Sequence, residues 1–168
     1  MDNLVVTLTN LYGLRAFHVS LKVGDISNAI ILGLSVSSSM IYHMLEHSKH
    51  HMTGMPQFQK YEKIALNADR FFAGLAFCTL VYKSRKFIFN RPLHKLAYKP
   101  HKIISSFNPK LKHYSIGTIA CLILSECQHL INLNIYPVRY VKGFYMLTHC
   151  FWHVGAFHIA YILQCNTK

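Results

Sequence analysis

The sequence predicts an all-α protein: a multi-pass bundle of transmembrane helices that forms a single membrane domain over residues 1–168. Two observations support this prediction. Hydrophobic residues make up 52% of the chain and charged residues 14%, whereas soluble proteins average about 25% charged residues. The chain also contains four apolar stretches of about 20 residues, the length that a helix needs to cross ~30 Å of hydrocarbon.

The four predicted spans differ in the few charges that they contain. They cover residues 26–45, 64–82, 114–136 and 143–163. The first has no Lys, Arg, Asp or Glu, and the fourth has only histidines as ionisable groups. The second carries Asp69 and Arg70 near its start, and the third carries Glu126.

The N-terminal segment 4–21 is apolar but contains Arg15 and His18. It fits either a fifth span or a helix lying in the membrane interface, and we favour the span. Residues 1–21 lack the basic start and the small-residue cleavage site of a signal peptide. We therefore expect the first span to act as its own insertion signal.

The segment 83–113 is polar and basic, and it holds nine of the 18 Lys and Arg residues, from Lys83 to Lys112. Such a segment can bind nucleic acid, or it can lie against anionic lipid on the cytoplasmic side. The apolar stretches on both sides favour the second interpretation. We predict a cytoplasmic loop, membrane lipids as substrate or environment, and no nucleic-acid partner. The sequence leaves the organelle and the oligomeric state open.

Polar residues recur inside the predicted spans, where ionisable groups are costly and mark functional sites. Ser39 and His43 stand four residues apart, on one face of the first span, as do His149 and His153 on the fourth. These histidines and Asp69 lie roughly 3 to 15 Å from the ends of their spans at 1.5 Å per residue. Because consecutive spans run in opposite directions, these positions fall in the same half of the membrane.

Three imidazoles and a carboxylate fit a catalytic zinc site, which uses three protein ligands and leaves a fourth position for water. We predict His43, His149 and His153 as the metal ligands. Asp69 would hold or deprotonate the water, and Ser39 would stabilise a developing oxyanion. The alternative interpretation is that these side chains only pack the bundle, since a serine in a span often bonds its own backbone.

The order of these residues resembles the CREST superfamily of membrane hydrolases, which includes alkaline ceramidases, adiponectin and progestin receptors, and GPI-directed phospholipases. The resemblance lies in three short motifs between Ser35 and Tyr161: SSSMIYHMLEH, LNADRFFAGLAF and HCFWHVGAFHIAY. They are also similar to the branch that contains the muscle-fusion protein myomaker. The resemblance implies zinc on the three histidines, assistance from Asp69 and Ser39, and hydrolysis of a lipid amide or ester.

The sequence departs from this family in length. The family has seven spans, three of them between the aspartate and the last motif, whereas only the span 114–136 fits that interval here. A reduced member could keep the zinc and lose the lipid cavity. A non-enzymatic protein for fusion, scaffolding or assembly is therefore the first alternative to a hydrolase.

A di-iron lipid oxygenase is the second alternative. The spacings His43-x3-His47 and His47-x2-His50-His51 resemble the histidine boxes of desaturases and hydroxylases. Those enzymes need about eight box histidines, and the C-terminal half of this chain has no second HxxHH. We favour a solvated basic loop around His50 and His51.

Overall fold

A computed structural model describes residues 2–47, 52–83, 108–127 and 138–165. These ranges contain helices and no strand, so the predicted all-α class is confirmed for the described part of the chain. The predicted basic loop lies almost wholly outside the described residues, and so does the end of the third predicted span.

Four of the described helices overlap the predicted spans. In the described ranges they are α1 (Asp2–Thr9), a 3-10 segment (Asn10–Gly13), α2 (Leu14–Lys22), α3 (Ile26–Leu45), a second 3-10 segment (Pro56–Tyr61), α4 (Glu62–Lys83), α5 (Pro109–Cys127) and α6 (Val138–Cys165). The first span was predicted at its observed bounds, and α4 and α6 extend beyond theirs at both ends. Helix α5, which overlaps the third predicted span, begins earlier than that span, at Pro109. Proline is well tolerated in a first helical turn.

Two helical stretches in the described residues are long and apolar enough to cross a membrane: Ile26–Leu45 and Pro56–Lys83. The side chains of α3 have the polarity that lipid would favour, because its buried residues include Ser39 and His43 while Ile30 and Ile41 are more than half exposed. A surface helix of a soluble protein has the opposite arrangement. The spans 114–136 and 143–163 stay predictions.

Helices α3 and α6 are connected by polar side chains at both ends. At one end, His43 of α3 contacts His149 and His153 of α6. At the other end, Asn28 Nδ2 donates a hydrogen bond to Gln164 Oε1. Helix α4 packs on α3, α5 packs on α6, and the N-terminal helices contact both central helices. The polar contacts therefore fix the relative position of the two helices that carry the histidines.

Gly13 permits the close approach of the N-terminal helices. A Cβ atom at this position would lie 2.5 Å from Val36 of α3 and 2.7 Å from Phe157 of α6. Both distances are shorter than a van der Waals contact, so any side chain here would push the segment away from the bundle.

Asp25 anchors the end of the bundle opposite the histidines. Its carboxylate caps α3 by accepting a hydrogen bond from the Asn28 backbone N–H, and it accepts two from Lys83 Nζ at the end of α4, at 2.6 and 2.7 Å. Partial burial acts to raise the pKa of Asp25, but the hydrogen bonds from Lys83, Asn28 and Ser27 outweigh it and hold the pKa below its usual value.

We expect Asp25→Asn to destabilise the protein by about 0.5–1 kcal/mol at neutral pH, as is usual for a partly exposed ion pair. Asparagine is also a good N-cap, so the substitution removes the ion pair and keeps the cap. Since the folded-state pKa is lowered, the stabilisation is present above the unfolded pKa of about 3.9 and is lost as the pH falls through the folded value. Unfolding in detergent at several pH values measures the difference. A difference from wild type that persisted undiminished at about pH 2 would contradict this account.

Candidate metal centre

Three histidines converge between α3 and α6. His43 Nε2 lies 3.0 Å from His153 Nε2 and 3.2 Å from His149 Nε2. One nitrogen of each ring lies within 4.8 Å of the others, and all three residues are buried. The structure thus brings together the three residues that the sequence analysis selected as metal ligands. Among the described residues they form the one group of this kind that could hold a metal ion.

Two of the nitrogen–nitrogen distances fit a small divalent ion. Two imidazole nitrogens on one zinc ion, at roughly 2.0–2.1 Å each and with a tetrahedral angle, lie about 3.3 Å apart. The two separations from His43 Nε2, 3.0 and 3.2 Å, are close to that value. Without a cation, lone pairs on these nitrogens would repel one another unless protons were shared between the rings. The three imidazoles could therefore hold a metal ion.

Helix geometry presents the ligands. His149 and His153 are one turn apart on α6, so their rings project on the same side of that helix. His43 lies in the last turn of α3, whose carbonyl groups lack helical partners. The Asn3 side chain donates to the His43 carbonyl oxygen at 2.6 Å and accepts from the Thr53 backbone N–H at 3.0 Å. The N-terminal helix therefore holds the end of α3 in place.

Ser39 and Asp69 lie beside the cluster, and both line one cavity together with His153. The Asp69 carboxylate is close enough to interact electrostatically with His43 and to accept a hydrogen bond from the Ser39 hydroxyl. Ser39 is only 2% exposed and lines the cavity, so its hydroxyl lies beside any molecule that binds there.

The cavity extends away from the histidines between α3, α4 and α6. Its volume is about 140 Å³, close to an engineered apolar cavity of about 150 Å³ that binds benzene. Beyond the polar end its lining is apolar and includes Leu32, Leu80 and Leu163. Phe77 of α4 lines the cavity and is 66% exposed, so the cavity opens sideways onto the outer surface of the bundle.

Sequence reasoning missed two residues that contact the cluster. Glu46 accepts or shares a proton with His43 Nδ1 at 3.0 Å, and Tyr145 donates to both Glu46 carboxylate oxygens at 2.9 and 3.1 Å. Glu46 follows His43 by three residues, and Tyr145 precedes His149 by four. Helical spacing could therefore have indicated both residues, although Glu46 lies just beyond the predicted span.

The residues of the di-iron alternative do not assemble in the described part of the chain. His47 is described and is not a member of the three-histidine group, while His50 and His51 lie outside the described residues. The second alternative gains no support from the described geometry.

Comparisons with family models, with curated proteins and with solved structures give no match for this chain. The geometry defines the class of site: a buried cluster of three histidines that could hold a metal ion, at the polar end of an apolar cavity.

Proposed function

We propose that this chain is a multi-pass integral membrane protein that hydrolyses a lipid amide or ester at a zinc centre. The observation that carries the proposal is the convergence of His43, His149 and His153 at the wall of an apolar cavity that also contains Ser39 and Asp69. This set combines metal ligands, a carboxylate and a hydroxyl donor with an apolar binding space.

Each residue has a distinct part in the proposed reaction. The three histidines would hold zinc, which when bound polarises a carbonyl group and lowers the pKa of water. Asp69 would accept the proton of the attacking water and return it to the leaving amine or alcohol as the C–N or C–O bond breaks. The Ser39 hydroxyl would donate a hydrogen bond to the oxygen that becomes negatively charged.

The shape of the cavity favours a lipid substrate. Its polar end lies at the histidines and its apolar end at Leu32, Leu80 and Leu163, so a carbonyl at the polar end would place part of an acyl chain among the leucines. The opening beside Phe77 faces the surface that would contact lipid. A substrate could therefore enter sideways from the bilayer.

We also propose that the chain is a reduced member of the CREST superfamily, on the order of its three motifs, with the basic segment 83–113 on the cytoplasmic side. In this orientation Asp25 and Lys83 lie at the cytoplasmic end of the bundle, and the histidines lie in the opposite half. The two helices long and apolar enough to span support the membrane location.

Metal removal tests the proposed function. We expect the full chain, purified in detergent, to contain one zinc ion and to release fatty acid from an N-acyl amide or an acyl ester lipid. A chelator should abolish the release and zinc should restore it, because the ion supplies the activated water. A zinc-loaded protein that releases no fatty acid from either class would favour the non-enzymatic alternative, and a protein without metal would contradict the zinc centre itself.

The cavity wall offers a test of the lipid interpretation. Ala73 lines the cavity, so we expect Ala73→Phe to shorten the apolar space. Excluding two methylene groups at about 0.8 kcal/mol each should lower kcat/KM for long-chain substrates about tenfold. Short-chain substrates should lose much less. Gly74→Leu, which adds bulk next to Ala73 where nothing lies within 4 Å, is the control. Equal losses for both chain lengths would contradict this placement.

A further inference from the structure

Glu46 is a buried carboxylate that the proposed reaction does not use. It is 0% exposed. The neighbouring core contains Val6, Met52 and Tyr145, all at most 2% exposed. A buried carboxylate is unfavourable unless hydrogen bonds or a positive charge compensate it. The contacts of Glu46 therefore need a physical explanation.

Both oxygens of Glu46 are engaged on the side facing the histidines. Oε2 lies 3.0 Å from His43 Nδ1, and the Tyr145 hydroxyl donates to Oε1 at 2.9 Å and to Oε2 at 3.1 Å. Tyr145 stands one turn before His149 on α6. The carboxylate thus connects the His43 ring on α3 to the helix that carries the other two histidines.

This contact determines which His43 nitrogen faces the cluster. A carboxylate at Nδ1 favours a proton on Nδ1, which leaves the Nε2 lone pair directed at His149 and His153. That tautomer is the one a metal ion binds. Neutral imidazoles supply no charge, whereas a carboxylate hydrogen-bonded to one of the ligand rings offsets part of the charge of a divalent cation in a poorly solvated interior.

We propose that Glu46 is a positioning residue of the metal centre: it orients His43 and strengthens its binding of a divalent cation, and Tyr145 orients Glu46. The inference rests on the proposed zinc centre and adds the residues that set its affinity. The backbone of Glu46 is also held in place, because the Asn3 side chain donates a hydrogen bond to the Glu46 carbonyl oxygen at 2.8 Å.

The test is a titration of the purified full chain with Co²⁺, whose visible absorption reports the ligand geometry, followed by competition with Zn²⁺. We expect Glu46→Gln to weaken binding about 10- to 100-fold and to change the Co²⁺ spectrum, as is typical when an outer-shell partner is lost. Asp25→Asn makes the same chemical change at the other end of α3 and should leave affinity and spectrum unaltered.

Tyr145→Phe keeps the ring packed and removes only the hydroxyl, so it provides an answer even if Glu46→Gln does not fold. We expect it to weaken binding by roughly tenfold. The double variant should bind no more weakly than Glu46→Gln alone, because Tyr145 acts through Glu46.

The two proposals fail in different ways. If the wild-type chain binds Co²⁺ while both variants bind it within twofold of wild type and with an unchanged spectrum, Glu46 is not a positioning residue and the metal centre stands. If the wild-type chain binds neither Co²⁺ nor Zn²⁺, both proposals are overturned.

Discussion

Replacing His149 by alanine is expected to abolish zinc binding, with the metal content falling from one ion per chain to background. His149 Nε2 lies 3.2 Å from His43 Nε2, and a site with only two imidazoles loses a third of its protein ligands. The same result is expected for His43→Ala and His153→Ala, because the three nitrogens form one group. Elemental analysis of the purified chain, together with Zn²⁺ competition against Co²⁺, measures the loss.

A matched control lies on the same helix. His158 is five residues beyond His153 and contacts Tyr12 and Tyr114 instead of the cluster. We expect His158→Ala to retain one zinc ion, even if packing of the N-terminal helices is weakened. If His149→Ala kept one zinc ion, as His158→Ala is expected to, the metal would bind elsewhere and the proposed centre would be wrong.

Helix α3 and the histidine cluster could be predicted from the sequence for simple physical reasons. A stretch of 20 residues with no Lys, Arg, Asp or Glu indicates one continuous helix, so the bounds of 26–45 follow from composition. The separation of four residues between His149 and His153 places both rings on one side of a helix. Because α3 and α6 run in opposite directions, His43 near the end of α3 lies beside the first half of α6. The length of an apolar stretch, the spacing of residues along a helix and the alternating direction of successive helices can all be read from the sequence.

The cavity and the contacts of Glu46 with the cluster could not be predicted from the sequence. The cavity depends on how far α4 lies from α6, which is set by packing that no local pattern records. Glu46 lies just after the apolar stretch ends, so a carboxylate there resembles an ordinary solvated helix end. Its burial depends on the Asn3 side chain and on Tyr145, which are 43 and 99 residues away.

Asp69→Asn is the substitution that separates a hydrolase from a structural metal protein. Asparagine has nearly the shape of aspartate but cannot accept the proton of the attacking water, so we expect hydrolysis to fall by about 10²- to 10⁴-fold, the usual contribution of a general base. Zinc content should stay near one per chain, because the three imidazoles remain. The measurements are fatty-acid release and metal content on the same preparation, with Asp25→Asn as the control that should lose neither.

Measuring hydrolysis and zinc content together distinguishes a role of Asp69 in the reaction from a role in metal binding. Loss of hydrolysis with zinc retained assigns the carboxylate to the reaction, because packing damage near His153 would also release the metal. Loss of both would mean that Asp69 supports the metal centre, and the expectation that its substitution leaves zinc binding intact would be wrong. If Asp69→Asn kept both its zinc and full function in cells, proton transfer would not be what the cell requires of this site. The buried cluster would then serve to connect α3 and α6, as the non-enzymatic alternative demands.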